Sequence, residues 1–268
     1  NKGAVAGLLL FGLIIVITIV GSIVLNYEGQ VIKQNIPERL LHPSPDHPFG
    51  TDQYGRSVMF RIIYGARYSL SVGLVAVIIA FLIGSMLGLV AGYYGDWVET
   101  LIMRLADVFQ PIPSILLAIV IMTAFGQSLM VLMLTIGLVC VPPFSRVARA
   151  AVLPVREQEY IEAAKAAGAS DFHIILSHVL PNSLAPILVQ CTMQVASAIV
   201  VASGLNFLGI GIPLPAPEWG GMLSESRHLM RDYSYLTLIP GLAIMLTVMS
   251  INLIGDGLRD ALDPKLKR

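Results

Sequence analysis

Five long stretches of this chain carry no charged side chain: residues 3–25, 69–94, 108–145, 183–217 and 234–255. A helix rises about 1.5 Å per residue, so about 20 apolar residues cross a hydrocarbon core about 30 Å thick. The third stretch is too long for one crossing, and Gly126-Gln127-Ser128 divides it into 108–125 and 129–144. The fourth is long because it ends in a Gly- and Pro-rich tail. Backbone groups inside lipid must be satisfied within the segment, so each run reads as a helix. The pattern predicts an all-α membrane protein with six transmembrane helices in a single domain.

An even number of spans puts both ends of the chain on one side. Lys2 lies at one end and Arg259, Lys265, Lys267 and Arg268 at the other, while Arg146, Arg149, Arg156 and Lys165 follow the fourth span. The bias of Lys and Arg toward the cytoplasm then places both termini and the segment 151–181 inside. Residues 27–67 and 205–234 fall outside. The first of these keeps Lys33, Arg39, Arg56, Arg61 and Arg67, because long loops obey the bias less strictly. The run 3–25 is longer than a signal-peptide core and is followed by Asn26-Tyr27-Glu28, so it is expected as a retained span.

Within the second span, Gly84, Gly88 and Gly92 recur every fourth position, with Ala80 one step earlier. Such a stripe lets another helix backbone approach closely, either within the chain or from a partner permease. Pro111 and Pro113 in the third span, and Pro142-Pro143 closing the fourth, mark kinks that serve as hinges or as static bends. Arg104 with Asp107, and Asp256 with Arg259, stand three apart and are expected as neutralising ion pairs at the membrane surface.

Composition agrees with the pattern: 56% of residues are hydrophobic and 13% charged, against about 25% charged in a soluble domain. Mean hydropathy is +0.77. The 17 basic and 17 acidic residues cancel, which leaves no electrostatic case for nucleic-acid binding. Cys140 and Cys191 lie in apolar runs and are expected as small buried hydrophobes. The chain holds no GxxxxGK[ST] phosphate loop, no HExxH and no GxSxG. The pair His42 and His47 flanks two prolines, so exposed loop residues are expected there and no metal site. No nucleophile–base pair emerges, and intrinsic catalysis and bound cofactors are not expected. Ionisable groups are missing from the span centres, where they would mark an ion or proton path. That argues against the competing class, a secondary transporter or channel working alone.

One segment fits none of the spans: Glu159 to Asn182, reading EYIEAAKAAGASDFHIILSHVLPN. Its first part has high helix propensity, so a helix is expected over 157–167, with Gly168 in the left-handed conformation that ends it. Ala163, Ala164, Ala166 and Ala167 would leave a low-relief face, flanked by Glu162 and Lys165, suited to a groove in another protein. The segment resembles the coupling motif of ABC importer permeases, with Glu162-Ala163-Ala164, Gly168 and Leu180-Pro181 in register. It departs from the motif at His178, where Ile is expected. Residues 49–70, 207–223 and 252–267 resemble signatures of the dipeptide/oligopeptide/nickel branch of that family, so the resemblance covers nearly the whole chain.

The resemblance implies the type I ABC importer permease fold in a bacterial inner membrane. It implies as partners a second homologous permease subunit, two cytoplasmic ATPase subunits that carry ATP and Mg, and an extracytoplasmic substrate-binding protein. Glu162, Ala163, Ala164, Lys165 and Gly168 would form the ATPase-coupling surface. Trp219 with Glu218, Arg227 and Arg231 offers an aromatic anchor and charges of both signs for the binding protein. The cargo expected is short peptides, with nickel or a metal chelate as the alternative.

Overall fold

Asn1 accepts hydrogen bonds from the backbone N–H groups of Gly3 and Ala4, and this cap starts the first helix, α1 (Lys2–Val24). The structure, a computed structural model, describes residues 1–262 of the chain. Lys265, Lys267, Arg268 and the end of the 252–267 signature lie outside the described residues. After α1 come α2 (Val58–Tyr94), α3 (Asp96–Phe109), α4 (Ser114–Phe125) and α5 (Leu129–Arg156). They are followed by α6 (Glu159–Ala166), α7 (Asp171–Ile174), α8 (Leu180–Phe207), α9 (Trp219–Ser226) and α10 (Tyr235–Leu262). A π-helical turn over Ile175–Val179 joins α7 to α8 without a break.

Five of these helical runs are long and apolar enough to cross a membrane. The third expected span corrects the sequence reading. Pro111 and Pro113 do not kink one helix; they separate α3 from α4, whose axes differ by 84°. Proline fixes φ and withholds an N–H, and two of them within three residues leave no continuous ladder. The count reaches six only if that bent pair is one span. Pro142-Pro143 corrects it in the other direction, because α5 runs through both and through Pro154 to Arg156. Likewise α2 begins at Val58, before the apolar run starts. Hydropathy marks the greasy slab and not the helix end.

The small-residue stripe of α2 packs inside the chain. A Cβ on Gly84 would lie 2.6 Å from Phe144 Cβ, one on Gly88 2.3 Å from the Ser145 carbonyl, and one on Gly92 2.7 Å from Val152 Cβ. All three partners belong to α5, so the stripe is the α2–α5 seam and not a partner-permease contact. The main core continues from it through Ala76, Ala80, Met122, Leu132, Ile136, Ile187 and Leu205. Cys140 is buried and Cys191 half-buried, both against this core. Along the outside, α1, α2 and α4 present apolar side chains such as Leu9, Met86 and Val120.

Charged pairs tie the elements together, though not as expected. Asp107 receives a hydrogen bond from Arg146 of α5 at 2.8 Å instead of pairing with Arg104, and Glu99 pairs with Arg149. Among the described residues Asp256 and Arg259 form no ion pair; Asp260 instead accepts from Asn1 at 2.7 Å. Asn1, Gly95 and α6 thus lie toward one end of the bundle, called the terminal end. Residues 27–57 and 208–234 occupy the far end.

Candidate coupling surface

At the terminal end, α6 is an eight-residue helix, too short to be stable in isolation. It is held from beneath. Ile161, 0% exposed, inserts among Leu89 and Tyr93 of α2, Val152 of α5, Ile174 of α7 and Val179. Lys165 reaches back so that its ammonium lies 5.0 Å from the centre of the Tyr93 ring. The Tyr93 hydroxyl in turn donates to Asp171 at 2.7 Å, fixing the segment that follows α6. One phenol at the last turn of α2 therefore touches both arms of the loop.

The end of α6 follows from Gly168. Its φ of +80° closes the helix, with its N–H donating to the Lys165 carbonyl and the Ala169 N–H to the Ala164 carbonyl. No heavy atom lies within 4 Å of where a Cβ on Gly168 would stand. Ser170 then caps α7. With Ile161 turned inward, Glu162, Ala163, Ala166 and Ala167 face solvent, and Ala164 is half-buried. Neither Glu162 nor Lys165 takes part in an ion pair among the described residues. Beside this low face stand Tyr160 and Phe172, the latter 74% exposed. His178, the departure from the motif, is half-buried with its ring edge-on to His173 at 5.9 Å and tilted against Tyr160 at 6.3 Å.

The far end treats the four expected binding-protein residues unequally. Trp219 is 2% exposed, and its indole N–H donates to the Ile62 carbonyl at 3.0 Å. Glu218 is 1% exposed, caps α9 through the Gly221 N–H and accepts from the Ser69 hydroxyl of α2, both at 2.9 Å. Burial pushes its carboxyl above the ordinary value, against the opposing pull of those donors. Neither side chain offers surface to a docking protein, which corrects that part of the sequence reading: α9 folds back onto α2 and α8 instead of forming an open loop. Arg227 and Arg231 are exposed. His42 packs between Tyr233 and Tyr235, and His47 reaches Glu38 at 3.7 Å, so the two histidines are engaged separately. Among the described residues no three His, Cys, Asp or Glu side chains are grouped to hold a metal.

Sequence reasoning missed a buried ion cluster that pins the far end. Asp52 accepts from Arg56 and Arg61, each at 2.6 Å, and Glu225 of α9 accepts from the same two arginines at 2.8 and 2.7 Å. Two carboxylates and two guanidiniums thus pair reciprocally with little exposure to water, while Arg61 Nε is left buried without a partner among the described residues. The spacing of Asp52, Arg56 and Arg61 was visible in the sequence. Their fourth member, 169 positions beyond Arg56, was not. Tyr93 and Asp171, which hold the loop around α6, were missed for the same reason.

A family model described as binding-protein-dependent transport system inner membrane component matches residues 84–268. The dipeptide transport system permease protein DppC of Alkalihalophilus pseudofirmus is 48% identical over 267 residues, covering 100% of this chain and 87% of that protein. A protein of the same description from Haemophilus influenzae is 40% identical over 274 residues, covering 100% and 92%. Among solved structures, an inward-facing conformation of the MetNI methionine ABC transporter superposes with a TM-score of 0.63 at 18% identity, covering 76% of this chain and 97% of that one. An amino acid ABC transporter with histidines gives 0.59 at 13% identity, covering 75% and 94%. At such identities the likeness to the solved structures is one of fold.

Proposed function

The chain belongs to the family of binding-protein-dependent transport system inner membrane components and has the type I ABC importer permease fold, and on that premise we propose how it works and what it carries. It is the permease subunit that forms half of the translocation pathway for short peptides. A substrate-binding protein delivers the peptide at the far end, and a second homologous permease completes the path. Two ATPase subunits, which hold ATP and Mg, dock at the terminal end. That end, with both termini, faces the cytoplasm of a bacterial inner membrane.

The observation that carries this reading is the two-sided build of α6. Its outer face of Glu162, Ala163, Ala166 and Ala167 is open, while its inner face is seated through Ile161 on the ends of α2 and α5. A partner that grips the open face moves the ends of two long helices that share one seam. ATP binding in the partners then shifts the balance between inward- and outward-facing states without chemistry in this chain. Peptide as cargo is supported by the relatives named for dipeptide transport, which match the chain end to end.

Uptake of a labelled dipeptide by cells expressing this chain with its neighbouring subunits, in a host lacking its own peptide importers, tests the reading. Uptake that depends on this chain and is competed by other dipeptides is expected. ATP-dependent uptake of nickel with no uptake of peptide would replace peptide by the alternative cargo.

A further inference from the structure

We propose that Arg67 and the groove below it form a binding site for an anionic phospholipid at the far-end boundary of the membrane. Three arginines within a dozen residues are treated differently. Arg56 and Arg61 are each bound by two carboxylates. Arg67, on the next turns of α2, is exposed and takes part in no ion pair among the described residues. Its guanidinium is nevertheless held in place. It lies 5.1 Å from the centre of the Tyr64 ring and 5.8 Å from that of Tyr68, and Nη1 donates to the Tyr64 hydroxyl at 3.0 Å. Tyr27 stacks on Tyr64 at 5.3 Å, so three tyrosines gather around this arginine. Tyrosines collect where a membrane surface lies, and the uncharged run of α2 begins two residues later, at Ser69.

The recess in front of Arg67 lies between α1, α2 and the start of α5, with Ser22 and Ser71 on its wall. Positions 67, 71, 74, 78 and 82 share one face of α2, spaced by four, three, four and four. Below the arginine and serine that face carries Leu74, Ile78 and Leu82, all exposed. A cation and hydroxyls at headgroup level above an open apolar stripe match a phosphate followed by acyl chains. A guanidinium binds phosphate through paired N–H donors, of which Tyr64 engages one. A second, similar permease is the weaker occupant, since the spans of this chain carry no acidic side chain to meet Arg67 at that depth. The site rests on the membrane reading and is independent of the cargo.

Native mass spectrometry of the purified assembly, this chain with its co-expressed partner subunits, tests the site by titration with phosphatidylglycerol or phosphatidylcholine. The wild type is expected to retain phosphatidylglycerol about fivefold more tightly, the effect of one juxtamembrane cation. Arg67→Gln removes the preference and Arg67→Lys keeps most of it. Inorganic phosphate at millimolar concentration leaves the bound phosphatidylglycerol in place, because it cannot use the apolar stripe. Equal retention of the two lipids by the wild type overturns the proposal, and that comparison needs no variant to fold. A preference that survives in Arg67→Gln also overturns it, as does displacement by inorganic phosphate, or efficient crosslinking of Leu74→Cys to the second permease.

Discussion

Replacing Ile161 by Ala removes the side chain that seats α6 while leaving its outer face intact. Burying an isoleucine contributes about 1.5–3 kcal/mol. Two other attachments survive the change: Lys165 over Tyr93, at about 0.5–1 kcal/mol, and the Tyr93–Asp171 hydrogen bond to a charged group, at about 1.5–3 kcal/mol. Ile161 thus supplies nearly half of what holds α6 down. In a rigid core Ile→Ala costs about 2–5 kcal/mol. The pocket here is a small satellite at the end of the bundle, free to collapse in part, so about 2–3 kcal/mol applies. At 1.4 kcal/mol per decade the local docking equilibrium falls roughly 30- to 140-fold. Hydrogen exchange of the assembly in nanodiscs reads this directly: peptides covering 158–168 lose protection by that factor, while those covering the α2–α5 seam do not change. ATP hydrolysis stimulated by the loaded binding protein falls, with unstimulated hydrolysis retained. Unchanged exchange over 158–168 would refute the reasoning, because the helix would then be held by something other than its buried side chain.

Gly168→Ala meets no neighbour, so its cost is that of a Cβ at φ +80° alone, about 1 kcal/mol; exchange over 164–169 is expected to rise about fivefold with no change in global melting. Arg61→Met leaves Asp52 and Glu225 each short of a buried partner and is expected to cost about 3–5 kcal/mol, seen as lowered thermal stability and faster proteolysis in 27–57; a melting point equal to wild type would show the cluster to be solvated. Because the folded-state pKa of Glu218 is raised from 4.5, the folded protein binds the proton longer than the unfolded chain, and stability falls as pH rises from 4.5 through the folded-state value. Glu218→Gln mimics the protonated form, so its melting temperature against pH is expected to be flatter than wild type over that interval; identical slopes would contradict the assignment.

The local structure of the segment 159–168 was legible in the sequence because its signals are local. An alanine-rich helix, a glycine that stops it and a cluster of exposed charge all act within twelve residues: α6 falls inside the expected 157–167, and Gly168 ends it in the left-handed conformation. The glycine stripe of α2 was equally visible, although only the structure assigns its partner as α5. Failures arose where distant segments decide the outcome. Pro111 with Pro113 breaks a helix and Pro142 with Pro143 does not. The latter pair lies in a helix packed along α2 by the glycine seam, and that neighbour holds α5 straight enough to continue past the missing donors. Trp219 and Glu218 read as surface residues of a polar loop until Ser69 of α2 and the Ile62 carbonyl are seen to receive them. The Asp52–Arg56–Arg61–Glu225 cluster joins segments that no periodicity relates.

If an ATPase partner grips α6, its outer face must touch that partner in the assembled complex. Benzoylphenylalanine placed at Ala163, whose side chain is exposed and turned away from Ile161, reports its neighbour in the assembled complex under ultraviolet light. The account predicts an adduct with the ATPase subunit that strengthens or shifts when ATP is added. An adduct with lipid or with the external binding protein, and none with the ATPase, would contradict it.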